Sequence, residues 1–190
     1  MLHARPYEMD DRQILELYRR GERESAFNEM VRAYSERLYW HVRTMTGSHE
    51  DADDLLQDIF AKVWAALPSF RGDSQLLTWI WRIANNEAIN FCKKNRLRNV
   101  PSIEDYGETE ALSPHSDPYF NGDRLQGLLC QAISGLPPRQ RSIFSMRYYD
   151  EMSYEDISKI TRVSIGALKA SYHIAKKRVT DFLLSHGEDV

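Results

Sequence analysis

The chain has 190 residues, 42% apolar and 28% charged, with a formal net charge of −3, which suits one medium or two small globular domains and is too apolar for a disordered chain. Its longest strictly apolar run, Val63 to Leu67, is far short of the roughly 20 residues that span a bilayer, and Met1 to Asp11 has no apolar core of a secretory signal. Cys92 and Cys130 lie far apart with no C-x-x-C between them, which argues against a disulfide scaffold or zinc module and suits a reducing cytoplasm.

The hydrophobic periodicity is helical throughout, and no segment alternates with a strand period. Asp10 caps a first helix that Gly21 stops. A second, from about Glu22 to Met45, spaces Phe27, Met30, Val31, Tyr34, Leu38, Val42 and Met45 at helical intervals and ends at Gly47. Ser48 caps a third that runs to Leu67 and is closed by Pro68. Acids crowd its start, and Asp54 and Asp58 share one face with Gln57 beside them. Such a cluster either complements the helix dipole or offers a docking surface to a basic partner. A magnesium-diphosphate reading of Asp53, Asp54 and Asp58 needs a second acidic cluster on a facing helix and a basic pocket, and the sequence supplies no such partner.

Residues 68–75 form a polar loop with one aromatic, Phe70. The next helix, about Leu76 to Lys94, centres its apolar stripe on Leu76, Ile80, Ala84 and Phe91. Trp79 and Trp81 fall on opposite flanks of that stripe, about 160° apart. Either each packs on a different neighbouring helix, or one stands near unstacked bases as single-strand binders require. Lys93, Lys94, Arg96 and Arg98 then give a basic exit.

Charge is distributed in blocks. Residues 1–98 balance 15 bases against 15 acids; residues 99–123 hold six acids and no base; residues 124–190 hold ten bases and seven acids. The acidic block includes Pro101, Pro114, Pro118, Gly107 and Gly122 and reads as a flexible linker of up to about 80–90 Å, tethering two domains without coupling them rigidly.

Beyond it come a helix over Leu125–Ser134, one opened by Pro137-Pro138 and running to Tyr149, and two more near 153–160 and 164–184. Ser153 and Asp156 have capping-box spacing, and only Thr161, Arg162 and Val163 separate the last two helices before Ser164, the arrangement of a helix-turn-helix. The turn lacks glycine, so Thr161 or Arg162 must carry any strained angle. On the last helix Ile165, Leu168, Tyr172, Ala175 and Val179 form the buried stripe, while Lys169, His173, Lys176 and Lys177 occupy another face. From Ile157 to Thr180 there are six bases and no acid, which is what contact with phosphates and base edges in a major groove requires.

These residues resemble a known family. Ala26-Phe27, Arg37-Leu38-Tyr39, Asp51 to Phe60, Phe70-Arg71-Gly72-Asp73-Ser74 and Thr78 to Ala84 are similar to region two of an extracytoplasmic-function (ECF, group IV) sigma factor of the sigma-70 type. Leu136 to Arg141, Met152 to Ile157 and Ile165 to Lys169 are similar to its region four. The resemblance implies an all-α protein of two small helical domains: region two over 1–98, the linker over 99–123 and region four over 124–190. It implies a cytoplasmic, non-enzymatic subunit that binds core RNA polymerase through the β′ clamp and β flap, recognises promoter DNA, and is held by an anti-sigma factor, with no membrane insertion, cofactor or metal. Asp54, Gln57 and Asp58 match the surface that docks on the β′ clamp. Phe70, Arg71, Asp73 and Ser74 fall in the loop that captures a flipped base of the minus-ten element, Lys62 and Asn86 match nearby DNA contacts, and Trp81 is counted with them. Lys169, Ala170 and His173 match readers of the minus-thirty-five element, with Lys176 and Lys177 beside them on the basic face. Members often carry Ser or Arg at the positions of Ala170, Ser171 and Ile174, so this helix offers fewer base-edge donors and the promoter sequence does not transfer.

Two other classes compete. A two-domain helix-turn-helix regulator acting without replacing a sigma factor would bind duplex operators alone, usually as a dimer. An enzyme finds no paired nucleophile and base, Gly-rich phosphate loop or H-E-x-x-H in its support. Cys92 beside Lys93 reads as a buried structural thiol in preference to a redox sensor.

Overall fold

A computed structural model of the chain describes residues 10–98 and 124–186; the acidic tract expected to act as a linker lies outside the described residues. Among the described residues there are eight α-helices, one 3-10 turn and no strand. None of the helices is long and apolar enough to cross a membrane.

The boundaries follow local chemistry. Asp10 accepts from the Gln13 amide at 2.8 Å while the Gln13 side chain accepts from the Asp10 amide at 2.9 Å, a complete capping box that opens α1 (Asp11–Arg19). Gly21, at φ +87°, reverses the chain into α2 (Arg23–Thr46), and Gly47, at φ +83°, ends α2 in the left-handed conformation that glycine adopts without steric cost. The Ser48 hydroxyl accepts from the Asp51 amide to start α3 (His49–Ala66), after which the 3-10 turn Leu67–Ser69 leads into the loop before α4 (Leu76–Arg98). These four helices bury Ile14, Met30, Leu38, Ile59, Val63 and Ile80 completely in one core.

The second unit comprises α5 (Arg124–Ser134), α6 (Pro138–Tyr148), α7 (Tyr154–Thr161) and α8 (Ile165–His186). Pro138 sits in the first turn of α6, where its missing N–H costs nothing. α6 is buried over six successive residues, Arg141 to Met146, because it lies between the first unit on one side and α8 on the other. Ala132, Ile133, Leu136, Phe144, Ala175 and Val179 form a small core of their own.

The two units pack directly against each other. α2 meets α5 and α6, α4 meets α6 and α7, and Ile143, Met146, Met152, Ile157 and Ile160 extend the large core from the second unit. A tether read from composition predicts no such contact. The contact is tertiary, made by side chains some 60–100 positions apart in sequence, such as Ser142 with Asn85 and Arg141 with Met45.

Candidate functional site

The acidic face of α3 stands free of the core. Asp53, Asp54, Gln57 and Asp58 are exposed, while Ala52, Leu55, Ile59 and Phe60 turn inward. His49 approaches Asp53 at 3.6 Å and is held from behind by the Tyr39 hydroxyl. Beside this ridge runs a groove between α2 and α3 of about 700 Å³, lined by Phe27, Val31, Leu56, Gln57, Phe60 and Trp64. Gln57 belongs to both ridge and groove. The sequence showed Phe27 and Trp64 only as members of two apolar stripes; their edge-to-face contact at 5.1 Å places Trp64 on the groove wall, 41% exposed.

The loop before α4 is anchored at both ends. Gly72 takes φ +80°, and the Phe70 ring packs on Trp79 at a centroid distance of 5.1 Å, half-buried, leaving Arg71 and Asp73 exposed and Ser74 partly so. At the exit, Asp11 of α1 accepts from the Tyr34 hydroxyl with one carboxylate oxygen and from the Leu77 amide of α4 at 3.4 Å with the other. One carboxylate thus lies at the N-termini of two helices, where negative charge is favourable. Sequence reasoning missed this role, since Asp11 reads only as a first-turn acid. Asp11→Ala is therefore expected to cost about 1 kcal/mol, the typical loss of a helix cap, and to hasten tryptic cleavage after the exposed Arg71. Unchanged melting and cleavage would remove Asp11 from the support of the loop.

Of the remaining region, Lys62 pairs with Glu87 across α3 and α4, and Asn86 is exposed. Trp81, expected among the minus-ten contacts, is instead fully buried and presents no face to DNA in this structure: its ring stacks edge-on with His41 at 4.8 Å and lies under the Arg37 guanidinium at 5.9 Å. The two tryptophans are divided as their 160° separation demands, Trp79 toward Phe70 of the loop and Trp81 toward His41 and Arg37 of α2.

The helix-turn-helix is α7 and α8. The Asp156 amide donates to Ser153 Oγ at 3.1 Å, and the Ser153 hydroxyl donates to the Asp156 carboxylate, which holds that carboxyl below its ordinary range together with Lys159. Arg162 takes φ +58°, the position where a glycine is absent, and Thr161 stays in α7. On α8, Leu168, Ala175 and Val179 are buried, while Lys169, Ala170, His173, Lys176 and Lys177 are all exposed. The Lys169 ammonium stands over the Tyr154 ring at 5.8 Å, near the start of the helix, with Lys176 and Lys177 two turns further on.

Where the units meet, polar groups are buried. His41 Nδ1 lies 3.7 Å from Asp150 Oδ2, and both side chains are nearly inaccessible. Burial holds the His41 imidazole down to about 4, offset in part by the Asn85 side chain. Burial also pushes the Asp150 carboxyl up to about 7, against the pull of Arg37. The signs oppose each other. Stability from a raised carboxyl is present in acid and lost as pH rises through about 7, whereas stability from a depressed imidazole is present above 6.5 and lost as pH falls toward about 4. Across that shared window the two cancel, so wild-type stability should be nearly flat. Asp150→Asn should make the denaturation midpoint fall as pH drops from 6.5, and His41→Asn should make it fall as pH rises toward 7; flat profiles for both variants would refute the burial-driven shifts of the two groups.

Among the described residues no three His, Cys, Asp or Glu side chains converge to hold a metal ion. Cys92 is buried and donates to the Met45 carbonyl at 3.0 Å.

Comparison with known proteins follows the same division. The family model for sigma-70 region 2 matches residues 30–98, and that for sigma-70 region 4 matches residues 127–179. The ECF RNA polymerase sigma-E factor of Escherichia coli K12 is 30% identical over 180 residues, covering 90% of this chain and 93% of that protein. The ECF RNA polymerase sigma factor SigE of Mycolicibacterium smegmatis is 26% identical over 165 residues, 86% of this chain, which spans 64% of that relative's length. Among solved structures, the sigma factor RpoE in complex with the anti-sigma factor NepR from Bartonella quintana is similar with a TM-score of 0.64 and 26% identity, covering 84% of this chain and 98% of that one.

Proposed function

The chain belongs to the extracytoplasmic-function branch of the sigma-70 family, and on that premise we propose that it binds core RNA polymerase and directs promoter recognition and transcription initiation, with the group IV architecture of two domains and an acidic tether. The order of surfaces along the chain carries this reading: a carboxylate ridge on α3, an anchored aromatic loop before α4 and a basic face on α8. A regulator acting alone needs the last of these and has no use for the first two. The domains divide at 1–98, 99–123 and 124–190.

In this reading Asp54, Gln57 and Asp58 dock on a basic face of the polymerase clamp, and the groove beside them receives apolar side chains from the same partner. Phe70, Arg71, Asp73 and Ser74 take up an unstacked base of the minus-ten element, with Lys62 and Asn86 on the neighbouring backbone. Lys169, Ala170 and His173 face the minus-thirty-five element, and Lys176 and Lys177 its phosphates. An anti-sigma factor, as seen with the Bartonella relative, competes for these surfaces in the cytoplasm.

The test is transcription in vitro by core polymerase with and without this protein, on a duplex promoter and on one already melted at the minus-ten element. Phe70→Ala should keep polymerase binding and lower open-complex formation, since a base that loses its stacking partner loses about 1–3 kcal/mol. The defect should shrink on the melted template. Wild-type output by the variant from both templates would exclude Phe70 from base capture.

A further inference from the structure

The ion pair between Lys62 and Glu87 runs against the charge of the helices that carry it. α3 holds five acids, and Lys62 is its one lysine or arginine; α4 holds five bases, and Glu87 is its one acid. The lone base of the acidic helix donates from Nζ to Oε2 of the lone acid of the basic one. Ile59 and Val63 on α3 and Ala84 and Ala88 on α4 are buried around it, while the two charged side chains remain 54% and 24% exposed. The pair therefore closes over the rim of the α3/α4 contact. Asn86, exposed, comes directly before Glu87, so the acid stands between two residues assigned above to the minus-ten strand.

Stability does not account for the pair. An ion pair exposed to this degree contributes little, because water screens both charges and two long side chains lose freedom to meet. Its consequence is for a polyanion. A lysine that neutralises one phosphate of a single strand releases about 0.7 of a counterion, and that release is the main source of backbone affinity. Here a phosphate has to displace a carboxylate from the ammonium first. One ion pair replaces another, and the displaced carboxylate is left beside the strand that it repels. The exchange brings the strand almost nothing.

We propose that Glu87 is a specificity-determining residue that withholds Lys62 from the DNA backbone, so that a melted minus-ten strand is held by capture of its bases and gains little from its charge. This rests on the initiation reading above. In that reading Asp58, one turn before Lys62 on α3, is committed to the clamp and does not take the place of Glu87. Backbone affinity is the same for every sequence. Suppressing it at this position keeps unrelated single strands off the site and leaves the choice among sequences to the loop.

The experiment uses holoenzyme assembled from core polymerase and the full chain, with two single-stranded oligonucleotides: the sequence that wild-type holoenzyme enriches from a randomised library, and a scrambled version of it. Glu87→Gln keeps the size of the side chain and an oxygen for Lys62 while removing the charge. The log–log salt slope should steepen by about 0.7 for both strands, the value for one phosphate contact. Over the decade from 1 M to 0.1 M salt that slope is a factor of about five, so at 0.1 M both affinities should rise about fivefold and their ratio should stay as it was. Adding Lys62→Ala should return slope and affinity to wild type. A Glu87→Gln holoenzyme with the wild-type slope, or a steepening that survives Lys62→Ala, would overturn the proposal. A changed preference between the strands at constant slope would overturn it too, and would make Glu87 a direct reader of a base. Wild-type holoenzyme that enriches no sequence faults the initiation reading, and the proposal falls with it; enrichment with an unmoved slope faults the role of Glu87 alone.

Discussion

Reversing Asp54 and Asp58 to Lys is expected to abolish co-purification with core RNA polymerase while leaving the helical fold and its melting temperature close to wild type. Both carboxylates are exposed on α3, outside the core formed by its Ala52, Leu55 and Ile59 face, and neither serves as the cap that starts the helix, which is Ser48. Exposed charge changes of this kind seldom move stability by more than about 0.5 kcal/mol. At an interface with a basic partner the same reversal turns two attractions into two repulsions, each worth several kcal/mol if desolvated. The ratio of the two effects is what makes the experiment decisive. Salt supplies a second check, because an electrostatically steered docking should weaken with ionic strength in the wild type, whereas any residual binding by the charge-reversed variant, now opposed by repulsion that salt screens, should not. Gln57→Ala tests a different component, the join between ridge and groove, and should lower affinity without changing its salt dependence. Undiminished binding by a folded double variant would remove this face from the polymerase interface.

The elements themselves were legible because their punctuation is local. Asp10, Gly21, Gly47, Ser48, Pro138 and Ser153 each act on the few residues beside them, and the helices start and stop within a residue or two of where those signals fall. The left-handed angle of this turn was legible to within one residue, Thr161 or Arg162, because a short turn without glycine has to place it somewhere, and it falls at Arg162. What the sequence hid is tertiary. α6 reads as an ordinary polar helix, PRQRSIFSMRY, yet six successive residues of it are buried, including Arg141, Ser142 and Ser145. A helix enclosed on both sides shows no single apolar stripe, and its polar residues find partners only in a unit whose sequence lies far upstream. The same holds for Trp81, whose flank of α4 was read as separate from that of Trp79 but whose neighbours, His41 and Arg37, come from α2, some 40 positions upstream. Asp11, bridging Tyr34 and Leu77, is invisible to periodicity because its second helix is 66 residues away.

The recognition helix separates positioning from reading, and the two should fail differently. Lys176 and Lys177 lie on the exposed basic face two turns beyond Lys169, where phosphates are the natural partners. Replacing either with Ala should weaken binding to all promoters alike and lower the log–log salt slope by about 0.9 per lost phosphate contact. Lys169 and His173 lie nearer the start of α8, the end that a recognition helix points at base edges. Tyr154 holds the Lys169 ammonium over its ring, so the amine has a fixed origin from which to reach a guanine or phosphate instead of sampling solvent. Replacing Lys169 or His173 should therefore change which minus-thirty-five sequences are preferred, by about 1–3 kcal/mol at one or two base pairs. With Ala170 contributing no donor and Ile174 exposed beside it, the apolar part of the face is suited to thymine methyl groups, and the altered preference should appear next to such a position. A randomised minus-thirty-five library transcribed by holoenzyme carrying each variant measures both effects at once. If the Lys169 and His173 variants keep the wild-type preference while the Lys176 or Lys177 variants change it, the helix enters the groove by its other end and the roles are exchanged.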